Sequence, residues 1–315
     1  MPVTINSIRE AHNRIKDFIH QTPVLTSHSL NRIVGMDLYF KCENFQKTGS
    51  FKIRGASNAV LSLSEEQIAK GVITHSSGNH GAALVQAALW RNIPSYVVAP
   101  RNSPDVKKQA LETYKADVTF SDVTLESRVN ETNKLINETG AVFIHPYDND
   151  TVISGAGTCC LELMESVQNP DVIMAPIGGG GLMSGTSIAA KALSQDIKII
   201  GCEPELADDA CISFKSGVLQ GPKPVRTIAD GLRTALSERT FGYIKQNVDH
   251  IETVSEEEII AATKLVWHHL KIVIELSSSV PFAAAIKLKK QLAGKRVGII
   301  FSGGNADLKY VTSLF

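Results

Sequence analysis

Three turns built almost wholly of small residues each follow an apolar run: Ser76-Ser77-Gly78-Asn79-His80-Gly81, Gly178-Gly179-Gly180-Gly181 and Ser302-Gly303-Gly304-Asn305. A turn short of β-carbons lets backbone N–H groups converge on an anion, and a helix that starts there adds its positive end. Each turn is therefore a candidate receptor for a phosphate or a carboxylate. One alone would equally be a tight bend packed on a neighbouring helix; three in one chain ask for a common cause. The spacing rejects a dinucleotide. Whichever frame is used from Gly178, the last glycine of G-x-G-x-x-G is replaced by Met183 or Ser184, and no G-x-x-x-x-G-K-[ST] occurs. Four consecutive glycines suit a compact phosphate monoester instead. A separate cluster, Glu203-Pro204-Glu205-Leu206-Ala207-Asp208-Asp209, gathers hard oxygen donors that select Mg²⁺ or Ca²⁺ over zinc, unless it is simply an acidic solvated turn.

The elements that must position these turns alternate in type. Ile8, Ala11, Ile15 and Phe18 predict an opening amphipathic helix over Ile5–Ile19, ended by Thr22-Pro23. Asp37–Cys42 reads as a strand. The runs beginning at Gly71, Ser95, Asp117 and Ala141 read as buried strands separated by helical periodicity, and a second series begins at Asp171, Lys198 and Arg296. Ser103-Pro104-Asp105 carries the signals of a helix start. Strand and helix in alternation imply an α/β fold of parallel sheets covered by helices, with ligands where strand C-termini meet helix N-termini. Two series imply two lobes and a cleft.

Composition narrows the partners. The 315 residues carry 32 basic and 32 acidic side chains and no long basic tract, which argues against nucleic acid and membrane surfaces. No apolar run approaches a membrane span, and the N-terminus lacks the character of a signal or transit peptide. The cysteines, Cys42, Cys159, Cys160, Cys202 and Cys211, are odd in number, and the adjacent pair cannot readily bridge, so a reducing, cytoplasmic setting is expected.

The stretch Glu43-Asn44-Phe45-Gln46-Lys47-Thr48-Gly49-Ser50-Phe51-Lys52-Ile53-Arg54-Gly55-Ala56, followed in order by HSSGNHG, GGGG and SGGN, resembles the second structural class of pyridoxal-phosphate enzymes. That group includes the tryptophan synthase β-subunit, threonine dehydratase and serine racemase. The resemblance spans nearly the whole chain and is strongest to serine racemases and hydroxyaspartate dehydratases. It implies a large cofactor-binding domain of residues 1–62 and 149–315 and a small domain, 63–148, closing over the substrate. Lys52 would carry pyridoxal 5′-phosphate as an imine. Read alone it is a surface lysine, but a place between Phe51 and Ile53 favours a desolvated amine of lowered pKa. Phe51 would pack on the pyridine ring, Gly178, Gly179, Gly180, Gly181 and Leu182 would hold the phosphate, Asn79 the 3′-oxygen, and Glu275 would lie near the ring. Ser302 would meet the pyridine nitrogen as a neutral partner, which leaves the ring short of full protonation and favours quick β-elimination. A helix N-cap is the other reading of Ser302, and a helix-start acid that of Glu275.

Ser76, Ser77, Asn79 and His80 would receive the substrate carboxylate. Ser77 matches the second base of racemases, opposite Lys52, though hydroxyaspartate dehydratases also carry serine there. Arg128 matches a mobile arginine that closes over the substrate, or is a solvated helix arginine. Tyr147, Gly231 and Thr234 line the pocket in relatives' terms, tyrosine and threonine being departures, as is Leu276-Ser277-Ser278-Ser279 after Glu275. Glu203, Ala207 and Asp209 match a structural Mg²⁺ or Ca²⁺ site. Relatives form homodimers, some with a nucleotide effector such as ATP, for which Lys47, Thr48, Lys107 and Tyr114 are candidates; His28-Ser29 departs from the usual residues there. The implied chemistry is racemisation of serine with β-elimination of L-serine, L-threonine or 3-hydroxyaspartate. The rivals are a threonine or hydroxyaspartate dehydratase without significant racemisation, and a silent amino-acid-binding regulatory protein.

Overall fold

The computed structural model describes residues 2–76, 78–101 and 116–315. The expected positions Ser77, Lys107 and Tyr114, and the helix start at Ser103, lie outside them. Among the described residues ten strands form two sheets: β1 (Val24–Leu25), β2 (Asp37–Cys42), β3 (Val72–Thr74), β4 (Ser95–Pro100), β5 (Asp117–Ser121), β6 (Val142–Phe143), β7 (Val172–Pro176), β8 (Lys198–Pro204), β9 (His250–Val254) and β10 (Arg296–Phe301). The six-stranded sheet runs β1-β2-β10-β7-β8-β9 and the four-stranded one β5-β4-β3-β6. Every neighbouring pair is parallel except β1 with β2. The predicted strands form, with β6 only two residues long; β1 and β9 are additions.

Alternation along the central strands divides the core of the larger sheet. Leu38, Phe40, Val172, Met174, Val297, Ile299 and Phe301 face one side, where Phe40 stacks on Phe301 with centroids 4.7 Å apart. Ile173, Ala175 and Ile300 face the other, with Ile8 and Ile153. Burial on both faces explains why these strands read as unbroken apolar runs. The opening helix is shorter than its periodicity predicts: Thr4 caps it through a capping box with Ser7, and it stops at Ile15, after which Phe18 turns back to pack 5.5 Å from Trp90.

The helix Lys52–Leu61 crosses the helix Asp150–Ser166 almost backbone to backbone. A β-carbon on Gly55 would stand 2.7 Å from the Val152 carbonyl oxygen, and one on Gly155 would stand 2.5 Å from that of Arg54. The crossing buries Arg54 completely and delivers it to two carboxylates, with Nε 2.7 Å from Glu43 and Nη1 2.6 Å from Glu162. Lys41, on β2, completes the cluster at 2.6 Å from Glu162 and also donates to the Thr22 carbonyl. Two cations and two anions balance inside the protein, which makes removal of any one costly. All five cysteines are buried and unpaired. Among the described residues no helix is long and apolar enough to cross a membrane.

Candidate active site

Lys52 opens its helix because the residues before it are tied to the end of β10. Ser50 pairs with Gly303 as an isolated bridge, the Phe51 N–H donates to the Ser302 carbonyl at 2.9 Å, and the Gly304 N–H donates to Gly49. Lys52 Nζ lies 5.1 Å from the Phe51 ring centroid and donates to the Pro146 carbonyl at 2.9 Å. Burial lowers its pKa from 10.5 to about 8, with the Glu275 charge pulling partly back. A lysine in this state is largely protonated below pH 8 and a free nucleophile just above it.

The glycine run lies between β7 and the helix Gly181–Leu193, at that helix's positive end. Its backbone has no room for side chains. A β-carbon on Gly178 would meet the Gly231 carbonyl and the Leu232 Cα at 3.1 Å and the Thr234 hydroxyl at 3.3 Å; one on Gly179 would stand 2.3–2.4 Å from three carbons of the Tyr147 ring. Gly180 has φ +84°, and its β-carbon would lie 2.6 Å from Leu236. Gly178, Gly231, Thr234 and Tyr147 are thus brought together. The Gly231 N–H donates to Ser277 at 3.0 Å.

Glu275 stands at the start of the helix Leu276–Lys287, as a helix-start acid should, yet its side chain makes no cap bond. Both its oxygens instead accept from the Asn79 amide, at 3.0 and 3.2 Å. Asn305 donates to Asn79 Oδ1 at 2.9 Å and to the Thr48 carbonyl at 2.8 Å. Ser302 does not cap a helix: the next one begins at Leu308 and is capped by Asp307, while the Ser302 hydroxyl meets Ser278 at 3.0 Å.

Facing this assembly, β3 and β6 end side by side, and the residues just past them, His75 and His145, contact each other edge to face at 5.5 Å. Tyr147 stands against His145 at 4.6 Å. His145 Nδ1 accepts the N–H groups of Tyr147 and Asp148, and burial with the neighbouring His75 lowers its pKa to about 4, so the ring is neutral at physiological pH. His80 is buried, bonded through Nε2 to the Ile144 carbonyl; its Nδ1 has no partner among the described residues. Ser76 lies in the turn between β3 and the helix Asn79–Arg91. Arg128 is partly buried, which lowers its pKa while Tyr147 pulls partly back, and its Nε has no hydrogen-bond partner among the described residues. Nothing in the sequence singles out His75; its one signal is a place at a strand end beside a small-residue turn.

The site fits a phosphate-bearing aldehyde: an anion cradle closed to side chains, a desolvated amine and a buried hydroxyl. The family model for "Pyridoxal-phosphate dependent enzyme" matches residues 15–303. The chain belongs to that family. Pyridoxal phosphate is therefore its cofactor, and its fold is that of the tryptophan synthase β-subunit group. Serine racemase of Dictyostelium discoideum is 51% identical over 99% of this chain and 98% of that protein. The β-hydroxyaspartate dehydratase of Paracoccus denitrificans is 47% identical over 97% of each. The crystal structure of the Dictyostelium racemase superposes with a TM-score of 0.93 at 52% identity, covering 97% of this chain and 99% of that one.

Apart from the cleft, Glu203 is buried and accepts the N–H groups of Ala210 (3.2 Å) and Cys211 (2.7 Å), while Asp209 accepts that of Leu236. Burial raises both acids, Asp209 to about 6 and Glu203 well above its usual value, where the Asp209 charge adds to the effect. Among the described residues no group of three metal-binding side chains occurs, so a cation here would need the Ala207 carbonyl and water as well. Lys47 lies 5.3 Å from the Trp90 ring centroid. Thr48 adopts φ 61° with a buried hydroxyl that has no partner among the described residues.

Proposed function

We propose that this chain is a serine racemase that also carries out β-elimination on L-serine, L-threonine or 3-hydroxyaspartate, releasing a 2-oxo acid and ammonia. The observation that carries the reading is the enclosed amine of Lys52, lowered to about 8 beside an anion cradle. When bound, pyridoxal phosphate withdraws electrons from an attached amino acid and makes its α-proton labile. The chain supplies everything else. The N–H groups from Gly178 to Leu182 hold the phosphate, Phe51 packs on the ring, Asn79 holds the 3′-oxygen and is itself aligned by Glu275, and Ser302 meets the ring nitrogen. Lys52 Nζ takes the α-proton. Ser77, as the second base, returns one to give the D-amino acid; if the β-hydroxyl leaves instead, with a proton as water, the resulting enamine is hydrolysed by water to the 2-oxo acid and ammonia.

The substrate carboxylate goes to the turn Ser76–His80 at its helix N-terminus, with Gly231, Thr234 and Tyr147 bounding the pocket. The neutral His145 adds no charge there. Residues 63–148 form the domain that closes over the substrate and bring Arg128 with it; residues 1–62 and 149–315 hold the cofactor. A dehydratase acting on hydroxyaspartate is the second reading, supported by Arg128, whose Nε has no partner among the described residues and suits a second carboxylate, and by the Paracoccus relative. Glu203, Asp209 and the Ala207 carbonyl bind Mg²⁺ or Ca²⁺, which orders the large domain and offsets two burial-raised carboxylates. The enzyme is a cytoplasmic homodimer, and Lys47, Thr48, Lys107 and Tyr114 take an ATP effector.

The test is to follow D-serine and pyruvate formation from L-serine in the wild type, Lys52→Ala and Ser77→Ala. Lys52→Ala should lose both products, and Ser77→Ala should lose D-serine and keep part of the pyruvate. D-serine formation retained by Ser77→Ala would remove the two-base assignment, and pyruvate without any D-serine in the wild type would favour the dehydratase.

A further inference from the structure

One hydroxyl, that of Ser278, has three hydrogen-bonding neighbours: the Gly303 carbonyl oxygen at 2.7 Å, the Gly303 nitrogen at 2.8 Å and Ser302 Oγ at 3.0 Å. A serine hydroxyl has one proton and two lone pairs. The carbonyl oxygen only accepts, and two oxygens 2.7 Å apart with no proton between them repel, so the Ser278 proton points at Gly303. The Gly303 N–H occupies one lone pair. The remaining one is left for Ser302, which makes Ser302 the donor in that contact. Ser278 is fully buried and Ser302 is 3% exposed, so bulk water does not compete for either proton. Ser302 then shows only lone pairs to whatever lies in front of it.

We propose, building on the reading that Ser302 faces the cofactor's pyridine nitrogen, that Ser278 is a positioning residue which fixes Ser302 as a hydrogen-bond acceptor, so that this chain holds the ring nitrogen in its protonated form. The expectation from residue type alone runs the other way, because a lone serine hydroxyl is free to donate to an unprotonated nitrogen. What reverses it is the second serine, in the segment Leu276-Ser277-Ser278-Ser279 that departs from the family pattern. A protonated ring nitrogen draws charge from Cα more strongly once Lys52 has taken the α-proton. Return of a proton is then favoured over loss of the β-hydroxyl.

The experiment loads the full chain with pyridoxal phosphate carrying ¹⁵N in its ring and records the ¹⁵N resonance at neutral pH. The wild type should show a pyridinium resonance. Ser278→Ala, which frees the Ser302 proton, should shift it toward the unprotonated range and raise the ratio of pyruvate to D-serine. Ser278→Thr, which keeps the hydroxyl, should retain the wild-type resonance, and Ser278→Gly replaces the alanine variant if that one does not fold. A wild-type resonance in the unprotonated range overturns the inference, as does no shift in Ser278→Ala when Ser302→Ala does shift. Failure to load, or a resonance indifferent to Ser302→Ala, instead overturns the placement of the cofactor itself.

Discussion

Gly179→Ala probes the fit between the phosphate cradle and the pocket wall. The new β-carbon would stand 2.3–2.4 Å from three carbons of the Tyr147 ring, which also packs edge to face on His145 at 4.6 Å, a ring held in turn by the N–H groups of Tyr147 and Asp148. Either the ring swings out of the pocket or the glycine loop shifts away from it. Forcing a methyl into a packed site costs about 1–3 kcal/mol. Placed on cofactor binding at about 1.4 kcal/mol per tenfold, that is an affinity loss of about 5- to 150-fold. Titration of the cofactor-free protein with pyridoxal phosphate, followed by absorbance, measures it. Tyr147→Ala in the same chain removes the obstacle, so the double variant should bind more tightly than Gly179→Ala alone, with a coupling of about 0.5–3 kcal/mol. Wild-type affinity in Gly179→Ala, or a double variant no tighter than the single, refutes the steric reasoning.

Capture of the cofactor aldehyde needs the neutral amine of Lys52, so its rate in stopped-flow absorbance should rise as pH increases through about 8; a rise centred near 10.5 would mean a solvated lysine. Burial alone would raise the Glu162 pKa, but its pairs with Arg54 and Lys41 outweigh that and hold it below 4.5. Its contribution to stability is therefore complete above that pH and is lost as pH falls through the lower, folded value. Urea midpoints measured down the acid range should fall there in the wild type and fall less steeply in Glu162→Gln. At neutral pH, Arg54→Met should cost about 3–5 kcal/mol by the same measurement, because Glu43 and Glu162 lose the guanidinium that bridges them while Lys41 still pairs with Glu162. Mg²⁺ or Ca²⁺ at about a hundred times its dissociation constant should stabilise the wild type by about 2.7 kcal/mol, seen as a rise in Tm that Glu203→Ala abolishes.

The strands and the three small-residue turns were legible because both signals are local: parallel strands buried on two faces read as apolar runs, and anion-binding turns exclude β-carbons. Lys52 was legible only through its company, since nothing within Phe51-Lys52-Ile53 tells an enclosed amine from an exposed one. The charge cluster was not legible, because Arg54 and Glu162 are 108 residues apart in sequence and meet only through the Gly55 and Gly155 crossing. Its one local sign is Lys41, a lysine inside an otherwise apolar strand. The same holds for Asn305, whose bonds to Asn79 and Thr48 span more than two hundred residues. Ser302 shows the opposite case: its type was readable, but the direction of its proton depends on Ser278 and Gly303, which only the folded chain brings to it.

The most direct test of the whole account is reduction of the cofactor-loaded protein with borohydride, followed by proteolysis and mass spectrometry. A single pyridoxyl label on the peptide containing Lys52, absent from Lys52→Ala, is the predicted result. A label on any other lysine, or none, would contradict it.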